Sequence, residues 1–226
     1  MLLNNDTVVD PEFLTEMVKV AERDSSIAVA GAKIYYYDNP NQLWSVWGKI
    51  NFWTGRPSLT PRLIAEKIKI IELDRGQYDH IREVHWVSGC CFLVKRIVVE
   101  NIGLLDGSYF FYWEEADYCF RVKKGGYKTV YVPKAKIWHK VARSTKKVVG
   151  FIPYYVARNS FCFMKKHATK WQYRSFLIYF FGVYFWLATG YYLILCHSIS
   201  LLTSFYRGVR DGVFNSEAEA NLYIKA

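Results

Sequence analysis

Between Ser175 and Tyr206 the sequence has no Lys, Arg, Asp or Glu, and between Arg143 and Arg174 it has no Asp or Glu. Cysteine is scarce: five residues, an odd number, none in the CxxC spacing of a zinc knuckle or redox motif. That count and spacing favour reduced cytosolic thiols over a disulfide framework. No basic stretch followed by an apolar one opens the chain; Met1–Leu3 runs straight into Asn4-Asn5-Asp6. Nothing there has the form of a signal peptide, which excludes a small secreted scaffold. Repeats and low-complexity tracts are also missing. What is present is apolar mass: 52% of the 226 residues are hydrophobic and 18% aromatic, which rules out disorder as the dominant state.

Charge is unevenly spread. The net charge is +10, and eight Lys or Arg fall between Arg143 and Arg174, immediately before the uncharged run. At about 1.5 Å per helical residue, Phe176 to Cys196 reaches roughly 30 Å, one hydrocarbon core. A basic block beside an apolar run is the pattern of a membrane anchor with its positive flank in the cytoplasm. The run is unusually aromatic and carries Gly182 and Gly190, so two arrangements stay open: one tilted span, or a bent helix in the interface. Nucleic-acid binding is the other use of +10. The aromatics that would stack on bases lie in the uncharged run, away from the cations, which argues against it.

The local patterns alternate between strand and helix. Leu2-Leu3 reads as the end of a buried strand. Asp10-Pro11 predicts a helix start ahead of Phe13, Leu14, Met17, Val18 and Ala21 at helical spacing. Ile27–Tyr37 is β-branched and aromatic, hence a strand, and 38–41 a turn. Leu43–Trp53 gives one or two short strands, and Thr54–Asp79 a surface excursion. Val84–Lys95 is a strand interrupted at Ser88-Gly89, Arg96–Asn101 a short helix, and Glu114–Lys124 a helix ended by Gly125-Gly126. Tyr127–Val132 is a strand stopped by Pro133. Such alternation predicts an α/β fold with a mixed sheet.

Three features could carry chemistry. Asn4-Asn5-Asp6-Thr7 lies at a strand's C-terminal end, where open α/β sheets place ligands and where a carboxylate can hold a hard cation; taken alone, a polar turn with Asp6 satisfying loop amides is the favoured reading. Glu114, Glu115 and Asp117 open a helix, whose dipole favours one or two acids without further purpose. Glu115 shares a face with Cys119 and Val122, however, which aims it inward as a possible general base, while Asp117 and Arg121 are spaced to pair. His139 follows Ile137-Trp138 and alone would be a packed surface residue. Cys90, Cys91, Cys119 and His139 are poorly spaced for zinc.

Taken together, the ordered pieces resemble family 2 glycosyltransferases, especially the rhamnosyltransferase-like branch. They are Leu2-Leu3-Asn4-Asn5-Asp6-Thr7-Val8-Val9; Val87-Ser88-Gly89-Cys90-Cys91-Phe92; Gly103-Leu104-Leu105-Asp106; Phe110 to Arg121; Val130-Tyr131-Val132-Pro133; His139; and Tyr154-Tyr155 with Arg158-Asn159. The resemblance covers roughly residues 1 to 165. It implies a GT-A fold and inverting transfer of a sugar from a nucleoside-diphosphate donor to a lipid-linked or polysaccharide hydroxyl acceptor. It also implies Asp6 and His139 as ligands of a divalent metal, Mg2+ or Mn2+. Glu115 takes the base position, usually Asp, with Glu114 and Asp117 as flanking acids. Ser88, Gly89, Trp113 and Arg121 fall in the substrate-binding stretches.

The resulting expectation is the acceptor-side half of a GT-A domain over 1–145, starting at the aspartate motif without the family's nucleotide-binding half. A basic juxtamembrane helix (146–174), a transmembrane or interfacial segment (175–206) and a polar tail (207–226) follow. Membrane lipid is then a partner, nucleic acid is not, and the catalytic part faces the cytoplasm. The competing expectation is a catalytically silent fragment retained for membrane or partner binding.

Overall fold

The computed structural model describes residues 1–60, 63–65, 68–69, 72–140 and 150–214. Residues 141–149 of the basic block and 215–226 of the tail lie outside the described residues. In chain order the first elements are β1 (Leu2–Leu3), β2 (Thr7–Val9), α1 (Phe13–Glu22) and β3 (Ile27–Tyr36). Short strands follow: β4 (Leu43–Ser45), β5 (Trp47–Asn51), β6 (Arg56–Thr60), β7 (Leu63–Ala65), β8 (Ile68–Lys69), β9 (Arg82–Glu83) and β10 (Cys91–Val94). Then come α2 (Arg96–Ile102), α3 (Glu114–Lys124) and β11 (Lys128–His139). The C-terminal part is helical: α4 (Phe151–His167), α5 (Lys170–Tyr179), a π-helical stretch (Phe180–Tyr184), α6 (Phe185–Gly190), a second π-helical stretch (Tyr191–Leu195) and α7 (Ile199–Phe214).

The chain divides into two compact units, and the division is interleaved rather than linear. The first comprises 1–49, 57–105 and 115–141; the second comprises 50–56, 106–114 and 142–226. The expected 1–145 boundary therefore misses two short segments that fold with the C-terminal helices. The expected polar tail is also revised, since 207–214 continue α7.

The first unit is built on a mixed seven-stranded sheet of order β1-β10-β3-β11-β2, with β4 on β3 and β9 on β11. Its α/β class is the one the sequence predicts. β3 pairs parallel with β11, and the other pairs are antiparallel. β3 is buried along nearly its whole length, which suits the small and β-branched run Ile27-Ala-Val-Ala-Gly-Ala. Phe13, Met17, Val20 and Ala21 of α1 join Ile34, Val132 and Ile137 in the core. Burying each large apolar side chain stabilises by about 1.5–3 kcal/mol. Helix α1 starts later than Asp10-Pro11 predicts: Asp10 Oδ1 accepts from the Glu12 amide at 2.9 Å, closing a turn ahead of Phe13.

Two expectations change in ways that matter for the site. Of Val84–Lys95 only Cys91–Val94 is a strand; before Ser88-Gly89 the pairing is reduced to an isolated bridge from Trp86 to Gly48, and 84–90 is a connecting loop. β11 does not stop at Pro133. Its register with β3 shifts between Val132 and Lys136, and pairing then resumes to His139. A proline lacks the amide a ladder needs, but at an irregularity no amide is called for.

In the second unit, α4 and α7 pack closely. A Cβ on Gly208 would stand 2.3 Å from the Tyr154 carbonyl oxygen, and one on Gly212 2.8 Å from that of Arg158. The constant offset makes the two helices parallel. Tyr154 Oη donates to Asp211 at 2.9 Å, and Lys165 donates to the Gly212 and Val213 carbonyls at 3.0 and 2.8 Å, capping the end of α7.

Candidate active site

The continuation of β11 brings His139 to the aspartate motif. Thr7 pairs with His139 in the β2–β11 ladder, and the Lys140 amide donates to the Asp6 carbonyl at 2.9 Å. His139 Nε2 and Asp6 Oδ1 stand 3.1 Å apart. The His139 ring is buried, edge-on to Trp44 at 4.6 Å between centroids. Burial lowers its pKa from the ordinary histidine value, against the opposing charge and hydrogen bond of Asp6. Its imidazole is therefore neutral at pH 7 and has a lone pair to offer. Nδ1 is buried and has no hydrogen-bond partner among the described residues.

These two donors fit a divalent cation. Ligands about 2.1 Å from a metal and at right angles lie about 3 Å apart, close to the observed separation. No group of three or more His, Cys, Asp or Glu gathers among the described residues, so protein supplies two ligands at most from what is seen there. The cysteines are not candidates. Burial pushes the Cys91 and Cys119 thiols up to about 12, leaving them protonated.

The 84–90 loop runs between the Asp6–His139 pair and Glu115. Asn4, two residues before Asp6, donates its amide to the Cys90 carbonyl at 3.0 Å. Ser88 closes the turn, its Oγ accepting from the Cys90 amide at 3.3 Å. Gly89 lies beside α3: a Cβ built on it would be 3.8 Å from Glu115 Cβ. Asp6, His139, Ser88, Gly89 and Glu115 thus form one connected set in the first unit.

The remaining expected site residues are placed elsewhere. Asp117 is fully buried and pairs with Arg121 Nε at 2.8 Å. The same guanidinium donates to the carbonyls of Ile102 (3.0 Å) and Leu104 (2.6 Å) and lies over the Tyr118 ring. Asp117 and Arg121 therefore tie α3 to the end of α2, with the acid buried and the cation partly exposed. Trp113 and Glu114 belong to the second unit, where the Trp113 ring packs on Phe163 at 4.9 Å. Burial raises the Glu114 pKa, and its Oε2 has no hydrogen-bond partner among the described residues.

Sequence reasoning missed Trp44, the aromatic wall of His139, because a tryptophan in a short strand carries no spacing signal. It also passed over the backbone before Glu114. Phe110, Tyr112 and Trp113 have φ of 58°, 63° and 76°, a region non-glycine residues rarely enter. Each such residue costs on the order of 1–3 kcal/mol and persists only where the surroundings enforce it.

Comparison with known proteins gives the family. The profile of the family described as Glycosyltransferase like family 2 matches residues 1–150, and the chain belongs to that family. Over 64 residues it is 44% identical to the N-acetylglucosaminyl-diphospho-decaprenol L-rhamnosyltransferase of Mycobacterium tuberculosis, 28% of this chain and 21% of that protein. Over 167 residues it is 23% identical to the galactofuranosyltransferase GlfT2 of Mycolicibacterium smegmatis, 70% of this chain and 26% of that protein. The chain thus spans about a fifth to a quarter of these relatives' lengths. A solved structure of GalNAc-T7 with UDP, GalNAc and Mn2+ aligns with a TM-score of 0.43 at 13% identity, covering 84% of this chain and 41% of that one.

Proposed function

We propose that the chain carries the acceptor-side machinery of an inverting glycosyltransferase that moves a sugar from a nucleoside diphosphate to a hydroxyl group. The observation that carries this reading is the connected set Asp6–His139, Ser88–Gly89 and Glu115. Glu115 takes the proton of the acceptor hydroxyl. The acceptor oxygen then bonds to the anomeric carbon from the face opposite the diphosphate, whose bond to that carbon breaks, and the proton stays on the Glu115 carboxylate. Glu115 is one methylene longer than the aspartate usual at this position, and its inward place on α3 keeps it beside the Ser88–Gly89 loop. Asp6 and the neutral His139 would hold Mg2+ or Mn2+, which when bound neutralises charge on the diphosphate. The rhamnosyltransferase relative acts, by its name, on a diphospho-decaprenol-linked sugar, which supports a lipid-linked acceptor here. Incubating the full chain with labelled nucleotide sugars and a lipid-linked acceptor tests this. Label should enter the lipid fraction with the anomeric configuration reversed; retained configuration would refute the mechanism.

The same reading includes membrane association on the cytoplasmic face, through a helix lying in the interface rather than crossing it. The 26-residue helix Lys170–Leu195 is long and apolar enough to cross a bilayer. Its middle, however, carries polar partners. Arg56 donates to Tyr179 Oη at 3.2 Å, and its guanidinium lies 5.4 Å from the Tyr184 ring centroid. A span would put that cation near the bilayer centre, where charge is costly. Phe205 of α7 packs on Phe180, Tyr184, Phe185 and Tyr192, while Arg210 on the same helix is exposed. The opposite, exposed side carries Trp171, Ile178, Trp186 and Leu187. An apolar stripe flanked by Lys170, Arg174 and Arg210 suits an anionic headgroup layer. Nitroxides at positions 171 and 186, fifteen residues and about 22 Å apart along the helix, should report one depth in vesicles. Depths differing by most of that distance would establish a span.

A further inference from the structure

Two glycines of the first unit mark where the 84–90 loop is seated on the sheet. Gly31 lies in the middle of β3, paired with Phe92 of β10 on one side and with Tyr131 of β11 on the other. Ala30 and Ala32 belong to the core on the α1 side of the sheet, so Gly31 opens to the opposite face. A Cβ built on it would stand 2.3 Å from Val87 Cβ and 2.6 and 2.7 Å from the two Val87 methyls. Gly48 of β5 makes the second seat. Its amide donates to the Trp86 carbonyl at 3.0 Å, and a Cβ there would fall 2.0 Å from Trp86 Cε2 and 2.3 Å from Nε1. Trp86 and Val87 are both buried.

Neither glycine has a positive φ, so neither is there for its backbone angles. What each supplies is the room of a missing side chain, the use of a strand glycine where another part of the chain comes close. Two consecutive loop residues are thus lowered onto the sheet, and the next two are Ser88 and Gly89. A Cβ on Gly89 would be 3.8 Å from Glu115 Cβ. The height of the loop over β3 therefore sets the gap between Ser88–Gly89 and Glu115. β3 is hydrogen-bonded along both edges at Gly31, so an added methyl would move the loop and not the strand. Carbon atoms in good contact stand about 3.5–4.0 Å apart, which means a lift of about 1 Å at Val87.

We propose that Gly31 and Gly48 are positioning residues for the transfer reaction: the space beside them seats Val87 and Trp86, and so holds Ser88–Gly89 at its working distance from Glu115. The proposal rests on the reading of Glu115 as the base. Every residue in it belongs to the first unit.

Gly31→Ala in the full chain tests it, first with no activity needed. Cβ atoms 3.8 Å apart suit a disulfide. Gly89→Cys with Glu115→Cys should therefore close on mild oxidation, read as a linked 89–115 peptide by mass mapping. Adding Gly31→Ala should slow closure about tenfold. Adding Gly125→Ala, whose methyl presses on Ile102 instead, should leave the rate unchanged. In the transfer assay Gly31→Ala alone should lower kcat by about 100-fold with the donor KM nearly constant, the effect of roughly an ångström of misplacement. Val87→Gly returns the room, so Gly31→Ala with Val87→Gly should turn over about tenfold faster than Gly31→Ala alone. A glycine needed only for stability would make that double variant the worse of the two. Should Gly31→Ala fail to fold, Gly48→Ala presses only on the Trp86 ring, and the same two results are expected. Closure in a folded Gly31→Ala chain as fast as in the parent pair would overturn the proposal, as would slower closure with unchanged kcat. A fully active Glu115→Gln would instead refute the base reading, and the closure rates would still report whether the glycines seat the loop.

Discussion

Asp117→Ala separates a structural acid from a catalytic one within the same helix turn. Asp117 is fully buried and its partner Arg121 is 19% exposed, at 2.8 Å. Removing one member of a buried pair typically costs 3–5 kcal/mol, because the other charge is left uncompensated. Arg121 is partly solvated and keeps the carbonyls of Ile102 and Leu104, so the lower end applies, about 3 kcal/mol. With a urea m-value of about 2 kcal/mol/M, the unfolding midpoint falls by about 1.5 M. Against a total stability of about 5–15 kcal/mol, the variant stays folded in buffer, and its transfer rate should stay near wild type. Asp117→Ala with Arg121→Met should lose less than the sum of the single changes. A midpoint unchanged within error, together with a transfer rate down by about 100-fold, would show that Asp117 is a reagent and not a tie.

Other perturbations probe the remaining parts. Burial lowers the His139 pKa, so the unfolded chain binds a proton below about pH 6.5 before the folded chain does, and the neutral ring's contribution, complete above that pH, is lost on acidification. Wild type should therefore lose more stability than His139→Gln between pH 7 and about pH 5; parallel pH curves would contradict the burial of that ring. Gly208→Ala gains helix propensity but drives a methyl into the Tyr154 carbonyl at 2.3 Å, and should lower stability by about 2 kcal/mol in thermal melts. A stabilised variant would mean that α4 and α7 are further apart. Deleting 171–210 should release the protein from anionic vesicles, and retention would place the membrane contact elsewhere.

Much of the skeleton was legible because local rules agree with the tertiary result. Glu114–Lys124 begins and ends where its acids and Gly125-Gly126 predict, and Ile27–Tyr36 is a strand by composition. Pro133 misled because the stop rule is local, whereas pairing with β3 carries β11 past it on a bulge. That Asp6 and His139 lie side by side was legible only through resemblance: they are 133 residues apart, and no spacing links them. The basic block reads as a uniform cationic flank, yet Arg158 and Lys165 work inside the fold, one bonding to the Asn159 side chain and the other capping α7. Segments 50–56 and 106–114 carry no compositional mark of belonging with the C-terminal helices. Their membership follows from contacts such as Gly55 on Phe176 and Asn159 on Tyr109, which only three-dimensional packing defines.

The central claim is that Glu115 is the base of a sugar transfer, and Glu115→Gln in the full chain tests it most directly. The change keeps the side chain's length beside Gly89 and removes its ability to take a proton. The account predicts a kcat lower by about 10²–10⁴-fold with donor affinity nearly unchanged. Turnover at the wild-type rate with the same donor and acceptor would contradict it.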